Sequence, residues 1–137
     1  MTPAPRGLPP ACRLLRPADF ARVYALRRSA AAGPLVVYAA PRDAAGGSGV
    51  RVGLSVSRRI GNAVVRNRWK RRLREAFRLV RGTLPAGYDF VVVVRSGLPQ
   101  PGAAGLERTG ATLTMLATRA AERSGKGPSP PGPERRS

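Results

Sequence analysis

The segment RNRWKRRLREAFR, residues 66–78, holds the side chains whose types most clearly suggest a chemical role. Seven of its thirteen residues are Lys or Arg, and Glu75 alone opposes them. A guanidinium group is a planar fork that pairs with two phosphate oxygens at once and stacks on bases. The segment therefore has the chemistry of a polyanion-binding surface, provided that a folded core holds it in place.

Groups that carry out acid–base or metal-dependent catalysis are scarce in this chain. Its 137 residues include no histidine, and the single cysteine, Cys12, excludes an internal disulfide and a Cys-based zinc site. The seven acidic residues are scattered singly, without the carboxylate cluster of a metal-dependent protein nuclease. The composition argues against a catalyst that works without a partner, and no metal-binding residues are predicted.

The net charge of +18, from 25 basic and 7 acidic residues, predicts an anionic partner. A field of this size attracts nucleic acid or an anionic membrane, but it does not specify a fold. No apolar run approaches the roughly 20 residues of a membrane helix, and the N-terminus lacks the apolar stretch of a secretory signal. We expect a cytoplasmic protein without a membrane partner, and charge alone leaves RNA and DNA both open.

Hydrophobic periodicity predicts an α+β fold in which helices pack on one sheet as a small two-layer sandwich. The predicted order is helix 16–28, strands 34–40 and 50–58, basic helix 60–82, strand 88–95 and helix 106–123. The strands around the basic helix suggest a parallel βαβ unit, for which a right-handed crossover is the general expectation. The Pro-rich segments 1–12 and 124–137 are expected to be disordered, and residues 13–123 to form the domain.

The basic segment is predicted to form an amphipathic helix. At about 100° per residue, one face carries Trp69, Leu73, Ala76, Phe77 and Val80. A neighbouring stripe carries Arg66, Lys70, Arg74, Arg78 and Arg81, with Arg71 at its edge. Burying the two aromatic side chains contributes about 2–3 kcal/mol each. The segment is therefore predicted to be fixed to a core, and a solvated tail or a membrane-surface helix is the weaker reading.

A strand that precedes the basic helix has one face of small and polar residues. In the strand VRVGLSVSR, alternate residues present small side chains, Gly53 and Ser55 among them, on the face opposite the valines. This small-residue face either leaves space for a ligand or is simply exposed. From residue type and position alone, Phe20, Tyr24 and Tyr38 are more simply interpreted as core residues.

Residues 52–78, VGLSVSRRIGNAVVRNRWKRRLREAFR, resemble the signature of the bacterial ribonuclease P protein component. That family joins a strand ending in G-x-S-V-S-[KR]-[KR]-x-G-N-A-V to a helix with R-N-R-x-K-R-x-x-R, and every position of the helical motif is filled here. Upstream, ADFARVY is similar to the family's first helix, and LVVYA to its second strand. The resemblance covers residues 13 to about 95 and, loosely, the last helix.

The resemblance implies a left-handed βαβ crossover, contrary to the general expectation, and a role as the protein subunit of a tRNA-processing ribonucleoprotein. Such an enzyme is an endoribonuclease that removes the 5′ leader from precursor tRNA. Its RNA subunit performs the hydrolysis with Mg²⁺, held mainly by RNA and substrate. The implied partners are ribonuclease P RNA and precursor tRNA, and no protein partner is evident.

The resemblance also implies two binding surfaces, transferred residue by residue. The surface for the RNA subunit would comprise Arg66, Asn67, Arg68, Lys70, Arg71 and Arg74. The cleft for the single-stranded leader would comprise Phe20, Tyr24, Val36, Tyr38, Arg58 and Arg59. Aromatic stacking there would tolerate many leader sequences, at about 1–3 kcal/mol per base. No catalytic residue is predicted in this chain.

Three other functions remain open at the level of sequence. A structural RNA-binding protein of the ribosomal type fits the composition equally well, although it needs no channel for a single strand. A DNA-binding protein lacks supporting heptads or zinc ligands, and a stand-alone nuclease lacks catalytic groups.

Overall fold

A computed structural model describes residues 12–14, 16–42 and 49–122 as three helices and four strands. The predicted disordered ends lie outside these residues, apart from Cys12. The elements in chain order are α1 (Pro17–Ala25), β1 (Arg28–Ala32), β2 (Leu35–Pro41), β3 (Arg51–Val56), α2 (Ala63–Val80), β4 (Tyr88–Val94) and α3 (Gly102–Glu122). This arrangement confirms the α+β class and the order of the predicted elements.

The four strands form one mixed sheet in the order β1-β2-β4-β3. β2 pairs antiparallel with both β1 and β4, whereas β3 pairs parallel with β4 from Arg51 opposite Asp89 to Val56 opposite Val94. The predicted parallel β3–α2–β4 unit is therefore confirmed. Its left-handed crossover stays a prediction.

Helices cover both faces of this sheet. The larger core joins α2 and α3 to one face, with Leu73, Phe77 and Leu116 against Phe90 and its neighbours. The smaller core joins α1 to the opposite face, where even-numbered residues of β2 and odd-numbered residues of β4 point. The structure thus adds a third layer to the predicted two-layer sandwich, because α1 is amphipathic and the face of the sheet beneath it is also apolar.

Strand β1 has no counterpart among the predicted elements. Its sequence, RSAAA, lacks the β-branched and aromatic residues that favour strands. Pairing with β2 through a two-residue connection at Gly33 and Pro34 decides its conformation, with Gly33 at φ 54°. Pairing with a neighbouring strand here overrides the local preference of alanine for helix over strand.

The two long helices pack closely at a glycine. The helix α2 ends at Val80, and a 3₁₀ turn over Arg81–Thr83 follows. Gly110 of α3 is buried, and a Cβ there would lie 3.0 Å from Val80 Cγ1. Glycine at this position therefore lets α3 approach α2 closely.

One fully buried carboxylate, Asp89 on β4, ties α1 to the sheet. Arg51 donates to it through Nε and Nη2 at 2.8 and 2.7 Å, and this hydrogen bonding raises the pKa of Arg51. Arg22 of α1 also donates to Asp89 and to the carbonyl oxygen of Pro41, while Arg42 Nε lies 3.7 Å from the carboxylate. These contacts hold α1 against the ends of three strands.

The small-residue face of β3 is occupied by the chain itself. A Cβ at Gly53 would lie 2.6 Å from Phe20 Cζ and 3.1 Å from Leu14 Cβ. Ser55 on the same face is also buried. The space that was expected to be exposed or to admit a ligand is therefore filled by the ring of Phe20.

We expect Gly53→Ala to lower the free energy of unfolding by about 1–3 kcal/mol, because the added methyl group displaces a buried ring. Urea denaturation measures this change. Gly82→Ala is the matched control, since no atom lies within 4 Å of its added Cβ, and its effect should stay within about 0.5 kcal/mol. Equal stability of the two variants would contradict the packing of Phe20 on Gly53.

Candidate nucleic-acid interface

The start of α2 is fixed by local capping. Asn62 accepts a hydrogen bond from the backbone N–H of Val65 at 3.1 Å, which satisfies one of the free donors of the first turn. Before it, Ser57 caps a 3₁₀ turn over Arg58–Ile60 in the same way. Gly61 connects the two at φ 156°, a conformation that residues with a side chain rarely adopt. The loop RRIGN thus determines where the basic helix begins.

The apolar face of α2 determines its rotation about its axis. Trp69, Leu73, Ala76 and Phe77 are at most 2% exposed, as the sequence predicted. Trp69 Nε1 also donates to the carbonyl oxygen of Gly97 at 2.9 Å, so the ring is held by a directional bond as well as by packing. The basic residues of the helix must therefore face away from the core.

A surface cavity of about 860 Å³ lies along the exposed side of α2. Its lining residues are almost all cationic or polar: Arg13, Asn67, Lys70, Arg71, Arg74, Glu75 and Arg78. Four of the six residues predicted to bind an RNA subunit meet here. Arg66 instead turns back and donates to the carbonyl oxygen of Gly61 at 3.3 Å, and Arg68 lies at a different cavity with Arg71.

Cations outnumber the single acidic residue, Glu75, among the residues that line this cavity. Glu75 accepts hydrogen bonds from Arg78, which raises the pKa of Arg78. Further ion pairs join Asp89 to Arg22, Arg42 and Arg51, on the far face of the sheet. Partial burial, and then the charges of Arg74 and Arg66, lower the pKa of Lys70. The helix surface therefore favours an anion that would relieve this repulsion.

The four apolar and aromatic residues predicted to line a leader cleft are core residues in this structure. Phe20, Tyr24, Val36 and Tyr38 are 3–7% exposed. The Tyr24 ring packs edge to face on Tyr38 at 5.0 Å and on Phe20 at 6.4 Å. A base could reach the ring faces only if α1 moved. The assignment of these residues to leader binding stays a prediction.

The arginines near the predicted cleft are more accessible. Arg58 and Arg59, in the 3₁₀ turn after β3, are exposed. Arg27 is exposed immediately after α1, at φ 55°, and its backbone N–H donates to the carbonyl oxygen of Tyr24 at 3.0 Å. Burial raises the pKa of Tyr38, and the nearby charge of Arg27 opposes that rise. A cation therefore stands beside the aromatic cluster.

The sequence did not single out two of these basic residues. Arg13 reaches the α2 cavity because residues 13 and 14 run beside β3, with Leu14 N–H donating to the carbonyl oxygen of Val52 at 2.9 Å. In the sequence, the one indication that Arg13 contributes to this cavity is that it lies in a basic segment before the first helix. Arg27 lies in a position that glycine commonly takes after a helix, so its conformation could not be anticipated.

Neither a metal centre nor a membrane span is evident in the described parts of the chain. Across residues 12–14, 16–42 and 49–122, no three His, Cys, Asp or Glu side chains are grouped as metal ligands. Within those same ranges, each helix is too short or too polar to cross a bilayer.

Comparison with known proteins gives one consistent result. The family model described as Ribonuclease P matches residues 8–120. The chain is 46% identical over 83 residues to the ribonuclease P protein component of Ruegeria pomeroyi (60% of this chain, 66% of the relative). It is 42% identical over 86 residues to the ribonuclease P protein component of Brevibacillus brevis (63% of this chain, 67% of the relative). The chain thus spans about two thirds of the length of these relatives.

Solved structures agree with the sequence comparison. The RNase P protein of Staphylococcus aureus superposes with a TM-score of 0.60 at 28% identity, covering 82% of this chain and 97% of that one. The RNase P protein of Thermotoga maritima superposes with a TM-score of 0.55 at 35% identity, covering 61% of this chain and 73% of that one.

We expect the pKa of Lys70 to lie below the ordinary lysine value of 10.5 and to rise when a polyanion binds. Binding then takes up protons in the interval between the two pKa values, so affinity increases as the pH falls through that interval. Lysine side-chain NMR measures both values, since Lys70 and Lys126 are the only lysines. Arg74→Gln should raise the pKa of free Lys70, and a free value at or above 10.5 would contradict the crowding of charge.

Proposed function

Because this chain belongs to the ribonuclease P protein family, we propose that it is the protein subunit of a bacterial-type ribonuclease P. In this role it binds the catalytic RNA subunit and the 5′ leader of precursor tRNA. It thereby promotes the endonucleolytic cut that produces the mature 5′ end of the tRNA. We propose a cytoplasmic site of action, where precursor tRNA is processed.

The observation that carries the proposal is the anchored cationic surface of α2. Asn67, Lys70, Arg71 and Arg74 border one cavity, and the single acidic residue among its lining residues, Glu75, accepts hydrogen bonds from Arg78. RNA phosphates would neutralise this surface and release their condensed counterions, which supplies binding free energy at low salt. Because the helix cannot rotate, the same cations face the same strand of RNA in every complex. This is what a subunit of a defined ribonucleoprotein requires.

The second surface would receive the leader. Its exposed cations, Arg27, Arg58 and Arg59, suit the phosphates of an unpaired strand, and the aromatic cluster beside Arg27 offers rings for its bases. In the structure those rings are buried beneath α1. We therefore propose that the leader first engages the arginines, and that stacking on Tyr38 requires α1 to shift.

The chemistry is assigned to the RNA subunit with Mg²⁺. This chain has no histidine, its buried Asp89 is bound by arginines, and Glu75 is bound by Arg78. Neither carboxylate offers a free pair of oxygens to a divalent ion. When bound, Mg²⁺ would supply charge neutralisation and activation of water, and its ligands would come from RNA and substrate phosphates. The protein contributes binding and orientation.

We expect correct 5′ cleavage of precursor tRNA at low Mg²⁺ only when a bacterial ribonuclease P RNA is present, with the rate raised at least tenfold by this protein. Gel analysis of three mixtures measures it: protein alone, RNA alone, and both. The physical reason is that the protein replaces part of the charge neutralisation that high Mg²⁺ otherwise provides.

Two results of that assay would contradict the proposal. Cleavage by the protein alone would place a catalytic site in this chain. Tight binding of the RNA without stimulation would favour a structural RNA-binding protein. Comparing a precursor with a long leader and one with a single leader nucleotide tests the second surface, because the stimulation should be larger for the long leader.

We expect Arg74→Met to weaken binding to ribonuclease P RNA and to reduce the slope of log K against log [salt] by about 0.7–0.9, the loss of one phosphate contact. Filter binding at several salt concentrations measures the slope. Arg119→Met is the matched control, since Arg119 is an exposed arginine on the last turn of α3, outside the α2 cavities. An equal fall in slope for both variants would indicate binding by net charge alone.

A further inference from the structure

The helix α3 carries no net charge. Its two arginines, Arg108 and Arg119, are balanced by its two glutamates, Glu107 and Glu122, across Gly102–Glu122. The net charge of +18 therefore belongs to the rest of the chain. Two copies of the protein repel each other less when α3 faces α3 than when the basic helices meet.

The solvent-facing side of α3 has the residue spacing of a helix–helix contact. Six of its residues recur at alternating intervals of four and three, which is the spacing along the seam between two packed helices. The residues that pack against the sheet and α2, such as Leu113 and Leu116, lie on a different side. We call the six residues the outer seam; five are exposed and Thr118 is half-buried: Ala104, Arg108, Ala111, Met115, Thr118 and Glu122.

The middle of the outer seam is apolar and small. Met115 is 37% exposed, and its flexible thioether side chain adapts readily to a partner surface. Ala104 and Ala111 present only methyl groups. Because the distance between packed helix axes depends on the side chains at the contact, these alanines allow a second helix to approach closely.

The charged ends of the outer seam complement each other in an antiparallel pair. Arg108 lies seven residues before Met115, and Glu122 lies seven residues after it. A two-fold axis at Met115 therefore places Arg108 of one copy opposite Glu122 of the other, and it does so twice. Among the described residues, neither side chain forms an ion pair within the chain. Both charges are thus available to a partner.

We propose that the outer seam of α3 binds a second copy of this chain, as an antiparallel two-fold pair of helices. Isologous contacts of this kind are the commonest form of protein self-association. The seam ends in a carboxylate on a helix without net charge, so RNA phosphates gain little there. The inference goes beyond the proposed function and does not depend on it.

The dimer is weak and forms only at high protein concentration. From Ala104 to Glu122 the seam is about 27 Å long. One pair of helices of this length buries less than the roughly 1,200 Å² of a stable interface, so the dissociation constant is on the order of 10 μM. At the nanomolar concentrations of filter binding the protein is monomeric, and the RNA-binding predictions are unaffected.

Sedimentation equilibrium of the full chain without RNA tests the pairing, from about 1 to 300 μM around the expected dissociation constant. The samples are wild type, Arg108→Glu, Glu122→Arg and an equal mixture of these two variants. Two controls make the same changes of charge outside the seam. Arg16→Glu lies before α1, and Glu107→Arg lies on α3 itself, and both positions are exposed.

We expect each seam variant alone to associate about tenfold more weakly than wild type, because two attractive contacts become two like-charged ones. The mixture should regain association close to that of wild type, since a mixed pair again has opposite charges at both contacts. Arg108→Glu lowers the net charge, which by itself would favour association, so its loss would not reflect net charge. Both controls should associate as wild type does.

Three results would overturn the proposal. The first is a wild-type protein that stays monomeric over the whole concentration range. The second is a mixture that does not regain association although both seam variants melt at the wild-type temperature. The third is an equal loss in Glu107→Arg and Glu122→Arg, which would mean that net charge alone governs association. Failure of the cleavage assay would remove the proposed function and leave this measurement unchanged.

Discussion

The burial of one face of α2 is the constraint on which the rest of the molecule depends. A chain with a net charge of +18 repels itself, and apolar burial must offset that repulsion for the fold to persist. Trp69, Leu73 and Phe77 supply this burial from the same helix that carries most of the clustered charge. Because they fix the rotation of the helix, its arginines cannot disperse, and the protein presents a preformed cationic surface. RNA binding is therefore favoured by the same packing that stabilises the fold.

The opposite face of the sheet is organised by a different interaction. Asp89 is fully buried and surrounded by Arg22, Arg42 and Arg51, so its charge is compensated several times over. Removing one partner of such a cluster leaves uncompensated buried charge, which makes the arrangement sensitive to change. The cluster holds α1 over Tyr38 and its neighbours. Any opening of the predicted leader cleft must therefore work against these contacts, whereas the exposed arginines beside it are already accessible.

Charge is thus used in two distinct ways within one small domain. Around Asp89, Arg22 and Arg51 donate hydrogen bonds to the carboxylate and stabilise the fold. On α2, Glu75 pairs with Arg78, while partial burial, and then the charges of Arg74 and Arg66, lower the pKa of Lys70. A crowded cationic surface of this kind would suit the proposed contact with RNA phosphates.

The sequence by itself determined the elements whose signals are local. The 3.6-residue period of α2, the alternation of β3 and the apolar run of β4 each follow from residues close together in the chain, and so does the motif that names the family. Tertiary structure alone decided the rest. RSAAA becomes a strand because β2 lies beside it, Gly53 accommodates Phe20 from another element, and Arg13 meets the α2 cavity through partners distant in sequence. The buried position of Phe20, Tyr24 and Tyr38 belongs to this second group. Periodicity shows which face of an element is apolar, but only the packing of the whole chain decides what covers that face.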